Sequence, residues 1–199
     1  DWAGGDWDAN SDEAETTIDS EGTLLIRPSG GAIAYFFNRD IINEGTVYWT
    51  DANLNTNANG SFTNQGDFYD QLDDDQSFNG GSGFYNEGSY VKTGEGSTTF
   101  NAPFSNSSPE TVEVSKGMLV LSGGGTNYSS GSMEVSDSGL IKFNSTYTIE
   151  DASQLDAYDL DESHSIYLPD DSAVAYGYKL SGGELTMGGN LSANLHQSG

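Results

Sequence analysis

Ile41-Ile42-Asn43-Glu44-Gly45-Thr46-Val47 is a phrase that the chain repeats. It returns as Phe62-Thr63-Asn64-Gln65-Gly66-Asp67-Phe68 and as Phe84-Tyr85-Asn86-Glu87-Gly88-Ser89-Tyr90. A looser copy starts at Phe104-Ser105-Asn106 and reaches Val112 after two extra residues. The steps Asn43→Asn64→Asn86→Asn106 are 21, 22 and 20, and the steps Val47→Phe68→Tyr90→Val112 are 21, 22 and 22. A near-constant period of this size, in a chain with few helix signals, is the mark of a solenoid.

Working outward, a second column keeps the same step. Phe78, Phe100, Leu121 and Phe143 are separated by 22, 21 and 22, and so are Asp74, Gly96, Gly117 and Gly139 in the turn before them. Gly139, Ile141 and Phe143 recur as Gly183, Leu185 and Met187, each 44 residues later. The apolar runs between turns, such as Thr23-Leu24-Leu25-Ile26 and Thr46-Val47-Tyr48-Trp49, are β-branched or aromatic. Gly, Asn, Asp and Ser bound them, which is strand-and-turn punctuation. A sandwich also gives short strands but would not hold three columns in step. The expectation is an all-β chain, a single-stranded parallel right-handed β-helix (β-solenoid) with about 22 residues per coil and at least two strands in each. Nine or so coils at about 4.8 Å would make a rod about 40 Å long. The organisation expected is an N-terminal cap over 1–20, holding Trp2 and Trp7, then a solenoid over 21–199. Its coil at about 150–180 is irregular, and 151–158 suits a short helical turn.

Each column has a physical task. The apolar columns stack inside, each coil stabilised by its neighbours. Asn43, Asn64, Asn86 and Asn106 are expected to form a hydrogen-bonded ladder from a left-handed corner, with the glycine two places later at positive φ. Glu95 and Lys116 should meet on adjacent coils.

The 199 residues carry 31 Asp and Glu against 6 Lys and Arg, a net charge of −25. Such a surface repels nucleic acid and anionic membranes, and the apolar runs are too short to span a bilayer. Neither is therefore an expected partner. There is no cysteine, so disulfides and thiol chemistry are excluded. The chain opens on Asp1 without an initiator Met, which fits a mature secreted product or a piece of a longer chain.

Residues that could carry chemistry are few. Asp6, Asp8, Asn10 and Asp12 alternate like the start of a Ca²⁺ loop, but Ser11 stands at the sixth place and Thr17 at the twelfth, where such a loop needs Gly and Glu. No cofactor is required; Ca²⁺ is the one candidate. His164 and His196 lack a nucleophile elbow. A polysaccharide-cleaving β-helix would need clustered carboxylates, and Asp67, Asp70, Asp73, Asp74 and Asp75 are the candidates, with few basic partners. Asp156, Asp159, Asp161 and Glu162 form a weaker cluster. Tyr48, Trp49 and Tyr85 are candidate glycan contacts, and in a strand one of the adjacent Tyr48 and Trp49 must face outward.

From Asn43 to about Ile149 the chain resembles a repeat of long bacterial secreted and surface proteins of the filamentous-haemagglutinin or autotransporter-passenger kind. The closest phrases run from Asn86 to Gly94, from Thr98 to Asn106, and from Thr111-Val112-Glu113-Val114 into Leu119-Val120-Leu121. Trp2-Ala3-Gly4-Gly5 is similar to the entry segment of such repeats. The resemblance implies a β-helix, a secreted or cell-surface setting, and a role as stalk, adhesin or matrix component. The strong acidity and residues 150–180 depart from that pattern. The function expected is therefore a non-enzymatic structural protein, a stalk, sheath or fibre subunit that assembles with itself. The alternatives are an adhesin module that binds a cell-surface or matrix glycan, and a polysaccharide-cleaving enzyme.

Overall fold

Alternation of buried and outward residues builds most of the well-described strands. In Thr46–Trp49, Val47 and Trp49 are buried while Thr46 and Tyr48 face out, and Ser61–Asn64, Asp67–Asp70 and Ser97–Phe100 repeat the pattern. A strand with one face in the core reads this way. The computed structural model describes residues 5–8, 14–27, 33–56, 59–128, 130–136, 138–145, 147–149, 154–157, 165–168, 178–180, 184–187 and 195–197. Side chains are described between 14 and 147.

Within those residues the chain coils through three parallel sheets of nine, seven and nine strands. The first sheet begins with Gly5–Asp8 and Ala34–Phe37, the second with Ala14–Ile18 and Arg39–Asn43, and the third with Thr23–Ile26 and Thr46–Trp49. Each coil from Ala34 to Ala157 thus contributes three strands, one to each sheet. The fold is an all-β solenoid with about 22 residues per coil. The expected columns are real vertical pairs. Val47 pairs with Phe68, Phe68 with Tyr90, Tyr90 with Val112 and Val112 with Met133. Phe78, Phe100, Leu121 and Phe143 are likewise successive partners.

Two expectations change. Residues 154–157 are a strand of the third sheet, paired with Ser132–Val135, and not part of a helical turn. Repeating backbone partners from the coil below outweigh a local helical preference. The sheets also run through the boundary expected at residue 20, because Gly5–Asp8 and Ala14–Ile18 pair in register with the coil that follows. The 44-residue echo holds through an intermediate rung: Ile141 pairs with Ile166, and Ile166 with Leu185, in steps of 25 and 19.

The interior is aromatic. Phe84 stacks on Phe62 with centroids 5.2 Å apart and on Phe104 at 5.3 Å, the rings nearly parallel in both cases. Phe68 stacks on Tyr90 at 5.4 Å and 5°. Rings of different sheets meet edge to face, as Phe84 does with Phe68 at 85° and with Tyr90 at 86°. The coil repeat sets the stacked contacts, and the angle between sheets sets the edge-on ones. Each aromatic pair adds about 0.5–1.5 kcal/mol beyond the area it buries.

Candidate functional site

The five carboxylates of the acidic stretch do not form one cluster. Alternation along Asp67–Asp70 points Asp67 outward and Asp70 into the core, while Asp73, Asp74 and Asp75 are exposed at the corner. Two of the corner acids serve the next coil: Asp75 accepts the Ser97 N–H at 2.8 Å, and Asp73 the Glu95 N–H at 3.4 Å. Lys116 Nζ lies 4.0 Å from Glu95, an exposed pair worth at most about 1 kcal/mol.

Asp70 is the chemically distinct member. Its side chain and that of Lys92, one coil above, are both fully buried, with Nζ 3.3 Å from Oδ1. Tyr90 donates its hydroxyl to Asp70 Oδ2 at 2.7 Å, and Lys92 Nζ also donates to Thr98 Oγ1 at 2.9 Å. Tyr90 and Thr98 are buried as well. Burial lowers the Lys92 pKa from its ordinary 10.5, against the pull of Asp70. Burial also pushes the Tyr90 phenol well above 10.0, helped by the charge of Asp70 and the hydrogen bond to it. The inward column holding the pair is otherwise mostly apolar: Ile26 and Trp49 precede Asp70, and Val114 and Val135 follow Lys92. This pair was legible in principle. Asp70 stands two residues after Phe68, Lys92 two after Tyr90, and the two are 22 apart.

The second buried polar feature is the asparagine ladder. Nδ2 of Asn43, Asn64, Asn86 and Asn106 donates in turn to Oδ1 of Asn64, Asn86, Asn106 and Asn127, at 2.7, 2.8, 2.9 and 2.7 Å. Asn127 is the rung that the sequence phrase missed, because Gly125 replaces the apolar residue two places before it and no Gly stands two places after. Register ends the ladder at Ile18 below and Ile149 above. Ile18 has no donor, so Asn43 Oδ1 is buried without a hydrogen bond.

The corner geometry differs from the expected one. The positive-φ non-glycine residues among those described are Asn38 and Ala52, and none of the ladder asparagines is left-handed. They end strands and point inward. Nor do Gly45, Gly66 and Gly88 adopt positive φ. They are glycines because the coils touch there: a Cβ on Gly66 would overlap the carbonyl oxygen of Gly45, and one on Gly88 that of Gly66. A second, more exposed ladder, Asn101 to Asn79 to Asn55 at 2.7 and 2.6 Å, was also missed; its steps of 22 and 24 carry its signal.

The remaining candidates separate. Trp49 is fully buried, and its indole N–H donates to the Ala52 carbonyl at 2.8 Å, which removes it from the glycan contacts. Tyr48 faces outward, but its ring stacks on Tyr69 at 5.1 Å and 14°, so one of its faces is covered. Tyr85 is 36% exposed and donates its hydroxyl to the Ser82 carbonyl. Asp6 and Asp8 lie in Gly5–Asp8, while Asn10 and Asp12 lie outside the described residues. Among the described residues no three His, Cys, Asp or Glu side chains gather as metal ligands. His164, Asp159, Asp161 and Glu162 also lie outside them; His196 lies in Leu195–Gln197 and Asp156 in Gln154–Ala157. A groove of about 250 Å³ follows the Asn-x-Gly corner, with Glu44, Gln65, Glu87 and Glu110 in its wall and no His, Lys or Arg.

Comparison with known protein families, curated proteins and solved structures returned no match, so the fold and these buried polar groups are read from this chain's own residues.

Proposed function

We propose that this chain is a non-enzymatic, extracellular structural protein of the bacterial secreted or surface kind, a β-solenoid stalk, sheath or fibre subunit that assembles end to end. The observation that carries the reading is the in-register stacking of three-stranded coils from Ala34 to Ala157 around an aromatic core. Repeated coils supply length and stiffness, and an end coil offers strand edges to a second copy. The net charge of −25 favours a solvated surface in saline or Ca²⁺-containing surroundings, with Ca²⁺ an accessory and not a requirement. Sedimentation at rising concentration, with and without Ca²⁺, tests the assembly, together with electron microscopy. Rods that lengthen along one axis at constant width support it. A strictly monomeric species at high concentration in both buffers overturns it.

A second reading, a glycan-binding adhesin module, is favoured by one observation: Tyr85 presents an exposed ring on the outer face of the second sheet. Aromatic side chains with an apolar body and a polar tip suit contact with a wet partner. Glycan-array binding that disappears in Tyr85→Ala supports this reading, and binding to no glycan removes it.

A further inference from the structure

A buried ion pair is a poor source of stability, since apolar residues of similar volume usually do as well or better. Here two charged residues occupy successive places in a mostly apolar column, between Trp49 and Val114. The side-chain contacts of the pair suit amide formation, and the Leu72 N–H also donates to Asp70 Oδ1 at 3.3 Å. Lys92 Nζ lies 3.3 Å from Asp70 Oδ1, with the carboxyl carbon one bond beyond. Tyr90 donates to the other carboxyl oxygen at 2.7 Å, and Thr98 Oγ1 accepts from Nζ at 2.9 Å. All four side chains are buried in a cluster that includes Trp49, Phe100 and Phe68.

We propose that Asp70 and Lys92 are a self-modification site, at which the two side chains condense into an intramolecular amide that fastens one coil covalently to the next. The balance needs no co-reactant. A proton passes from the ammonium to Asp70 Oδ1, leaving a neutral amine beside a neutral carboxylic acid. Nζ attacks the carboxyl carbon, and the negative charge that develops on Oδ2 is held by the Tyr90 hydroxyl, as a preorganised donor holds an oxyanion. Oδ1 takes a second proton from Nζ and leaves as water. The product is one secondary amide and one water from one ammonium and one carboxylate. Burial disfavours both charged forms, which favours the neutral reactants and a neutral product. It also lowers the Lys92 pKa, which makes the amine more available as a nucleophile. In-register strands hold the reacting groups together, so the step is intramolecular in the sense that gives large effective molarities. The inference does not depend on the proposed structural role.

The test is the intact mass of the full chain, folded by circular dichroism and then denatured. The expected mass is that of the sequence less one water, with a fragment bearing Asp70 joined to one bearing Lys92 after cleavage at acidic residues between them. Lys92→Arg, which keeps the charge but not the amine, should return the mass of its own sequence. Tyr90→Phe should lower the cross-linked fraction at a fixed time after folding. A folded wild-type chain at full sequence mass, whose Lys92 is completely acetylated by an amine reagent after denaturation, overturns the proposal. This readout does not require any variant to fold.

Discussion

The asparagine ladder and the Asp70–Lys92 pair are two answers to one problem, a polar column inside a solenoid. An amide carries both donor and acceptor and no charge. Stacked at one-coil spacing, each Asn satisfies the next, and the ladder extends over five rungs from Asn43 to Asn127. A carboxylate or ammonium cannot repeat in this way, because like charges about 4.8 Å apart in a buried column would repel. Charge can enter the column only as one opposite pair with apolar neighbours, and that is how Asp70 and Lys92 sit. The ladder is therefore periodic and open at an end, while the pair is singular and closed.

The largest expected effect breaks the closed feature. Lys92→Met leaves Asp70 buried with no cation, only the Tyr90 hydroxyl and the Leu72 N–H as donors, and should cost about 3–5 kcal/mol of unfolding free energy, measured in urea. Adding Asp70→Leu should recover much of that loss, since it removes the uncompensated charge. If the single and double variants are equally unstable, the contrast drawn between the two columns fails.

The ladder should respond by position. Asn86→Ala removes two ladder hydrogen bonds at once, orphaning Asn106 Oδ1 and leaving one Asn64 amide hydrogen without its acceptor. Each orphaned group costs about 1–3 kcal/mol, so a loss of about 2–6 kcal/mol is expected. Asn43→Leu should cost under about 1 kcal/mol. It orphans Asn64 Oδ1 and takes a donor from the part-buried Asp67 carbonyl, but it removes the already unbonded Asn43 Oδ1 above Ile18. Equal losses at the two positions would mean that the ladder is not the unit of stability.

Alkaline pH acts on the closed feature again. Tyr90 and Tyr147 both have folded pKa values raised well above 10.0, in each case chiefly by burial. A raised folded pKa gives stability that is complete below the unfolded pKa and is lost as pH rises above it. Unfolding free energy should therefore fall above about pH 10, by up to about 1.4 kcal/mol per pH unit for each of these tyrosines. Tyr90→Phe should reduce that slope by one tyrosine's share, read from urea midpoints across the alkaline range. An unchanged slope would show that Tyr90 is not the buried phenol it is taken to be.

The smallest effect is a gain. The Tyr147 hydroxyl is buried without a hydrogen-bond partner, so Tyr147→Phe should stabilise by about 1 kcal/mol. Its ring packs on Phe143 at 4.8 Å and would be retained. A loss of stability would point to a partner for that hydroxyl.

Much of the fold was legible because a solenoid writes its contacts at a constant sequence distance. Phe68 and Tyr90, or Phe78 and Phe100, are 22 apart and are also vertical neighbours. The Asn phrase was legible for the same reason, and its conformation was not. Sequence suggests a left-handed corner wherever Asn precedes Gly, whereas the close approach of stacked backbones is what requires Gly66. The candidate site was harder to see. Asp70 stands in a run of acids that composition marks as surface, and only strand alternation, which turns Asp67 out and Asp70 in, sets it apart.

By itself the sequence determined the all-β class, the period near 22, the apolar columns and four rungs of the ladder, because each is a repeated residue type at a repeated distance. The tertiary structure decided which of Tyr48 and Trp49 enters the core, that the coils have three strands, and that Gln154–Ala157 is a strand. It also brought Tyr90, Lys92 and Thr98 together around Asp70. Those outcomes depend on the direction of each side chain and on the backbone of the next coil, and neither is encoded in the spacing of residues along one strand.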